Sequence, residues 1–192
     1  RLVSDWSSDV CSSDLSILSL LLDNAQGVRQ AFAHLYEQGR RRMCFVAGAT
    51  DSHDNSERMA TFLQEAQAQG LTVPVYPGNF TESSGYEAGL GILTDAALPD
   101  AVFCANDQMA LGFLRAMTEQ GLRAPQDIAV VGFDDIPLVR YTQPSVSTIG
   151  TSRLEWGATA VKQLIGKLDH DASFESCRIP THLIVRQSSC LK

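Results

Sequence analysis

Residues 99–112 read PDAVFCANDQMALG, and residues 120–135 read QGLRAPQDIAVVGFDD. Ala101–Cys104 and Ile128–Phe133 are short, near-continuous apolar runs, which predicts strands covered on both faces. Between them Asp107 stands where it can cap a helix running to about Gln120, and Gly121 supplies the usual left-handed stop. Asn106 and Asp107 follow the first strand; Asp134 and Asp135 follow the second. Strand, helix and strand in this order are the repeat of a parallel sheet wrapped by helices.

The same repeat continues outward. Upstream, Ile17–Leu22 reads as a buried strand ending at Asp23-Asn24, and Val28, Ala31, Phe32 and Leu35 recur at helical spacing before Gly39. Met43–Ala47 is a strand running into Gly48. Met59, Phe62, Leu63 and Ala66 then mark a helix closed by Gly70. A Pro- and Gly-rich loop, Pro74 to Gly78, precedes a helix at about Ser84–Leu93. Beyond Pro137 and Pro144 come a strand at Val146–Ile149, a helix from about Arg153 to Leu168 and a last strand near Ile179–Arg186. The expected fold class is α/β with a doubly wound parallel sheet.

The 192 residues carry 15 Lys and Arg against 22 Asp and Glu, a net charge of −7, and 44% are hydrophobic. That composition supports a real core, while the acidic balance argues against a phosphate-contacting surface, which needs clustered Lys and Arg. Ser16–Leu22 is the longest apolar run, far short of the roughly 20 residues of a membrane span. Asp5, Asp9 and Asp14 stand where a secretory signal would be basic. Five scattered cysteines (Cys11, Cys44, Cys104, Cys177, Cys190) without C-x-x-C spacing point to reduced thiols and a cytoplasmic protein. Residues 1–15, RLVSDWSSDVCSSDL, are polar and aperiodic. Asp5–Leu15 resembles one reading frame of a sequencing adapter, so 1–15 is read as a non-native leader and kept out of the fold.

In open α/β sheets, ligands bind beyond the carboxyl ends of the strands. There the sequence gathers Asp23, Asn106, Asp107, Asp134 and Asp135, with Arg58 at the start of the helix after Met43–Ala47. Planar Asp, Asn and Arg groups can each bridge two neighbouring hydroxyls, which suits a polyol, a sugar or a nucleoside. Phe80, in the polar loop Asn79–Glu82, offers a flat apolar platform for a sugar face or a base. Each residue also has a plainer role: Asp107 as a helix cap, Asp135 as the cap of the turn before Pro137, Arg58 as a solvated helix residue, Phe80 as packing under its own loop.

The two opening stretches closely resemble the effector-binding domain of LacI/GalR-type bacterial transcriptional repressors. Further segments agree in order. They are Asp23-Asn24 with Gly27 and His34-Leu35, Gly39–Gly48 (GRRRMCFVAG), Ser56-x-Arg58 with Phe62, Gly78–Tyr86 (GNFTESSGY) and Ile179–Ser189 (IPTHLIVRQSS). The resemblance covers about residues 16 to 189. It implies a periplasmic-binding-protein-like fold of two lobes with the effector between them, one lobe nearly complete and the other a remnant. Residues 16–23 would end the first lobe, 24–145 form the second, 146–170 return to the first, and 171–192 hold the closing strand of the second lobe and the tail.

By the same resemblance Arg58, Phe80, Asn106 and Asp134 occupy effector-contacting positions, with Asp23 a weaker candidate. The effector would be a sugar, sugar acid or nucleobase compound, with no catalysis, metal or cofactor. The full-length protein would be a homodimer that reaches operator DNA only through an N-terminal head with no counterpart here, and it would not engage a membrane. The helix carrying Leu154, Val161, Leu164, Ile165 and Leu168 would then lack much of its partner sheet, so this chain alone is expected to expose an apolar patch and associate or misfold.

Two other classes compete. A periplasmic sugar-binding protein of a transporter shares the fold, but neither a signal peptide nor a lipid-attachment Cys is present. An enzyme would use Asp134, Asp135, Asn106 and Asp107, or Asp51-x-His53-Asp54, to hold a hard metal such as magnesium. Against it, the four His show no ligand-like pairing, and there is neither a nucleophile elbow nor G-x-G-x-x-G.

Overall fold

The computed structural model describes residues 19–95, 97–170 and 176–190; the expected leader and the start of the first expected strand lie outside them. The chain runs β1 (Leu20–Leu22), α1 (Asn24–Glu37), β2 (Met43–Val46), α2 (His53–Ala68), β3 (Val75–Tyr76), α3 (Glu82–Leu93), β4 (Ala101–Cys104) and α4 (Asp107–Glu119). It continues through β5 (Ala129–Phe133), a 3₁₀ turn at Pro137–Arg140, β6 (Ser147–Gly150), α5 (Arg153–His170), β7 (Cys177–Ile179) and β8 (His182–Ile184). Among the described residues the strands form two sheets. The larger has the order β3-β2-β4-β5-β6-β8, parallel except for β8; the smaller pairs β1 with β7 in parallel.

Every residue of β2, β4 and β5 is buried, as continuous apolar runs require when helices cover both faces. On one face Phe45 and Phe103 stack across β2 and β4, and Phe62 of α2 packs on both while meeting Phe32 of α1 edge-on. On the other face α3 and α4 cross at very short range. A Cβ on Gly85 would stand 2.1 Å from the Met109 carbonyl oxygen, and one on Gly112 would stand 2.0 Å from that of Glu82. Only hydrogen fits at these crossings.

The βα turns repeat one device. Asp23, Ser52, Thr81 and Asn106 each accept a hydrogen bond from the amide three residues on, at 2.9–3.3 Å, satisfying a donor at the helix start. The cap of α4 is therefore Asn106, and the expected cap, Asp107, is its first helical residue and fully buried. Gly39, Gly70 and Gly121 end α1, α2 and α4 at φ between +70° and +83°, as expected. The edge strand β3 lies inside the expected Pro74–Gly78 loop. Two residues behind a proline carry no periodicity to read, and the backbone bond from Phe45 to Pro74 starts the pairing.

Two expected segments fall elsewhere. The strand at Val146–Ile149, expected to return to the first lobe, pairs with β5 in the larger sheet, so the chain leaves that sheet only after Gly150. The single closing strand is two: β7 in the smaller sheet and β8 in the larger, parted at Pro180, which has no N–H to donate. Three connections thus cross between the sheets, and they are tied together. The Asp23 amide donates to Ile179 (2.9 Å), the Thr181 hydroxyl to the Asp23 carbonyl (2.6 Å) and the Thr151 hydroxyl to Pro180 (2.8 Å). Along the outer edge of β8, Gln26 and Gln30 of α1 accept the amides of Thr181 and Leu183 at 3.0 and 2.9 Å. Four helical residues rise about 6 Å and two strand residues about 6.6 Å, so one glutamine per turn matches alternate strand amides.

Leu154, Val161, Leu164 and Ile165 of α5 are exposed by half or more, the apolar face foreseen for this helix. Gly112→Ala should lower the unfolding free energy by about 1–3 kcal/mol, the cost of overpacking, read as a lower urea midpoint at unchanged slope. Gly91→Ala, in the same region but with nothing within 4 Å of the added carbon, should not.

Candidate functional site

The site is built on Arg58, one turn into α2 and 4% exposed. Its guanidinium carbon lies over the Phe133 ring, 3.6 Å from the centroid. Nε donates to Asn24 Oδ1 at 2.8 Å and Nη1 to the Ala105 carbonyl at 2.7 Å. Two carboxylates stand slightly farther away: Asp134 at 3.8 Å from Nη1 and Asp54 at 3.9 Å from Nη2. These are ion pairs too long to be hydrogen bonds, so donors and acceptors on both sides remain available. Burial pulls the Arg58 pKa down, and Asp134 and Asp54 pull it back.

Asp134 follows β5 at the strand's carboxyl end. Burial in the cleft pushes its pKa up to about 6, with Arg58 working against the rise and Asp54 adding to it. The turn that presents it is unusual: Asp134 has φ +109° and Asp135 φ +47°, a region costing a residue with a side chain roughly 1–2 kcal/mol. Asp135 does not cap the following turn as expected; its carboxylate is held by Arg140 and by Arg186, the latter at 2.6 Å. Burial alone would raise its pKa, but these two hydrogen bonds outweigh burial and hold it below the usual carboxylate range.

Phe80 also sits at positive φ, +69°, with its ring laid on Gly48, where a Cβ would come within 2.2 Å of the ring. Its carbonyl accepts from Asn106 Nδ2 at 2.9 Å, while Asn106 Oδ1 takes the Met109 amide at 2.9 Å. Because Ala105 accepts from Arg58 and Asn106 donates to Phe80, four of the five expected residues are joined within one short network. Asp23 stands apart: its carboxylate caps α1, and it reaches the site only through its neighbour.

That neighbour, Asn24, was not singled out in the sequence. Buried at the start of α1, it donates to Asp54 (2.8 Å) and Glu57 (3.0 Å) while accepting from Arg58. Its three partners recur at helical spacing on α2, a signal that was legible once an Asn was placed opposite them. Arg153 was also unforeseen; it points at the Asp134 and Asp135 carbonyls at 3.4 Å from a helix read only for its apolar face. Beside them a cavity of about 160 Å³ is lined by Leu22, Phe133, Asp134, Gly150, Arg153 and Trp156. Among the described residues no three His, Cys, Asp or Glu side chains come together to hold a metal, and Asp135 is already paired with arginines.

Residues 32–189 match the periplasmic binding protein-like domain model. The chain belongs to that family. It is 34% identical over 165 residues to the HTH-type transcriptional repressor PurR of Haemophilus influenzae (strain PittEE), covering 82% of this chain and 49% of the relative. It is 31% identical to the PurR of Escherichia coli O1:K1 / APEC over 97% of this chain and 55% of the relative. Among solved structures, a dimeric Lac repressor superposes with TM-score 0.83 at 29% identity, covering 89% of this chain and 64% of that one. A complex of the transcriptional regulator CelR with cellobiose gives 0.81 at 32%, covering 90% and 54%. The chain spans about half the length of the curated relatives it matches.

Asp134 and Asp107, the latter pushed up to about 7 by burial, both hold protons more tightly here than in an unfolded chain, where carboxylates titrate near 4. Their contribution to stability is complete below about pH 4 and is lost as pH rises through 6 and 7. Unfolding free energy should therefore fall across pH 4–7, and Asp134→Asn should flatten part of that slope. In a Trp6→Phe background, Trp156 emission should show a step near pH 6 that Asp134→Asn abolishes.

Proposed function

We propose that this chain is the effector-sensing part of a LacI-type transcriptional regulator, binding a small polyhydroxylated ligand at Arg58, Asp134, Asn106 and Phe80. The observation that carries the reading is the Arg58–Asp134 pair, held at 3.8 Å with unspent donors and acceptors. A pair of adjacent ligand hydroxyls can accept from the guanidinium and donate to the carboxylate, and Phe80, linked to Arg58 through Asn106 and Ala105, would offer an apolar platform. A sugar, a sugar acid or a nucleobase compound offers such groups, and cellobiose in the CelR complex is one example from a relative. The rest of the first lobe, supplied by a longer protein, would form the opposite wall and cover the exposed face of α5.

Signalling then needs only that the ligand bind one lobe arrangement more tightly than another. The contacts between the two sheets are where that difference is felt: the three bonded crossovers, Arg153 on the Asp134 turn, and Arg178 of β7 on Glu57 of α2 at 2.5 Å. We read the whole protein as a cytoplasmic homodimer, in keeping with the dimeric Lac repressor, contacting operator DNA through a head outside this chain. The transporter reading shares the fold, but the curated relatives are repressors. Among the described residues no helix is long and apolar enough to cross a membrane.

A thermal-shift panel of sugars, sugar acids and nucleobase compounds should yield at least one hit, tested on this chain and on a form extended upstream of Ser16. A ligand at 100 times its dissociation constant adds about 2.7 kcal/mol of stability. The hit's shift should vanish in Asp134→Ala and in Arg58→Ala. A shift that survives both would overturn the assignment of the site.

A further inference from the structure

The Asp134-Asp135 turn stands at positive φ at two successive non-glycine residues, so something must hold it there. Backbone pairing accounts for only one bond, from the Asp134 amide to the Ile149 carbonyl at 2.8 Å. The next two amides end on side chains. Asp135 donates to Thr148 Oγ1 at 3.3 Å, and Ile136 donates to Asp107 Oδ2 at 2.9 Å. The Thr148 hydroxyl in turn donates to Asp107 Oδ1 at 2.6 Å. Asp107 is fully buried, and Gly132 leaves it room, since a Cβ there would lie 2.3 Å from Oδ1. Both carboxylate oxygens are therefore spent behind the cleft, one through Thr148 on the Asp135 amide and one directly on the Ile136 amide, at the C-terminal side of the strained turn. The residue before it, Asn106, makes the matching bond to the other left-handed site residue, Phe80.

We propose that Asp107 is a positioning residue for ligand recognition: its carboxylate ties the Asp134-Asp135 turn to the start of α4 and so keeps Asp134 facing Arg58. The role rests on Asp134 being a ligand contact; the geometry it explains does not. The groups facing Asp134 are Arg58 and Asp54 from α2, Arg153 from α5 and Asp107 from α4. Their arrangement holds only while the turn does. Released, Asp134 would move toward water and titrate as an ordinary carboxylate. An acid at Asp107 rather than a neutral acceptor carries a cost, because burial disfavours its charge and Asp134 and Asp135 add to that. An asparagine keeps an oxygen for the Ile136 amide and an NH₂ that the Thr148 oxygen can accept.

The test follows Trp156 emission against pH in the Trp6→Phe chain, at dilute concentration and without ligand. The step near pH 6 should fall by a unit or more in Asp107→Ala, toward the roughly 4 of a free carboxylate, with native circular dichroism. In Asp107→Asn it should return to near 6. A step unmoved by Asp107→Ala overturns the proposal, as does an asparagine variant that shifts as far as alanine, or a parent chain with no step. If Asp107→Ala does not fold, Thr148→Val decides. It keeps the shape but removes the hydroxyl joining Asp107 to the Asp135 amide, so a lowered step supports the role and an unchanged one overturns it. Because no ligand is present, a chain that binds nothing in the thermal-shift panel yet shows this pattern loses the proposed function, and with it the role in recognition, and keeps only the tie between Asp107 and the Asp134-Asp135 turn.

Discussion

The constraint around which this fold is arranged is the burial of one guanidinium. Taking a cation out of water costs several kcal/mol even after relaxation, and Arg58 is almost wholly enclosed. The protein offsets that cost with five groups: the Phe133 ring below, the Ala105 carbonyl and Asn24 oxygen at hydrogen-bond distance, and two carboxylates just beyond it. These partners come from the ends of β4 and β5, the start of α1 and the first turn of α2, so those four elements are placed by a requirement they share. Phe133 and Gly132 show how tightly. Alternation along β5 sends Phe133 under Arg58 and leaves Gly132 facing Asp107, so a slip of one residue would destroy both faces of the site together.

The larger sheet and most of its helices were legible because their signals are local. Continuous apolar runs marked β2, β4 and β5, and glycines marked the ends of α1, α2 and α4. What was missed depends on partners distant in sequence. β3 exists because β2 offers it an edge. The closing segment divides because Pro180 cannot donate and Thr181 is hooked by Asp23 and Gln26, more than 150 positions away. β6 was assigned to the wrong sheet for a similar reason: Val146–Ile149 is apolar enough for either, and only its pairing with β5 decides.

The site divides along the same line. Residue type and position brought forward Arg58, Phe80, Asn106 and Asp134 within a wider set that also held Asp23, Asp107 and Asp135; the family resemblance singled out the four, and the structure joins them. The division of labour inside the Asn106-Asp107 pair was not legible. Both residues are good caps, and which side chain turns outward depends on Asn106 finding Phe80 and Asp107 finding Thr148 and Ile136. Asn24 was missed because an amide beside an obvious cap looks redundant until the face of α2 opposite it is known.

Several features here work against stability. Three non-glycine residues stand at positive φ, two acids hold their protons at raised pH, and an arginine is nearly buried without a close carboxylate. Scattered over a protein, such features would be defects. All of them lie within one network at the carboxyl edge of one sheet, and the deepest part of that network spends every oxygen of Asp107 internally while the outer part leaves Arg58 and Asp134 short of partners. A structure that stiffens its inner shell and leaves its outer shell unsatisfied is poised to gain most from a molecule that supplies hydroxyl groups at that spot. An apolar ligand would bury the same charges without pairing them, at a cost of the size that already makes Arg58 expensive. For a ligand taken up at the proposed site, polarity would follow from the electrostatics of the cleft, independently of any relative.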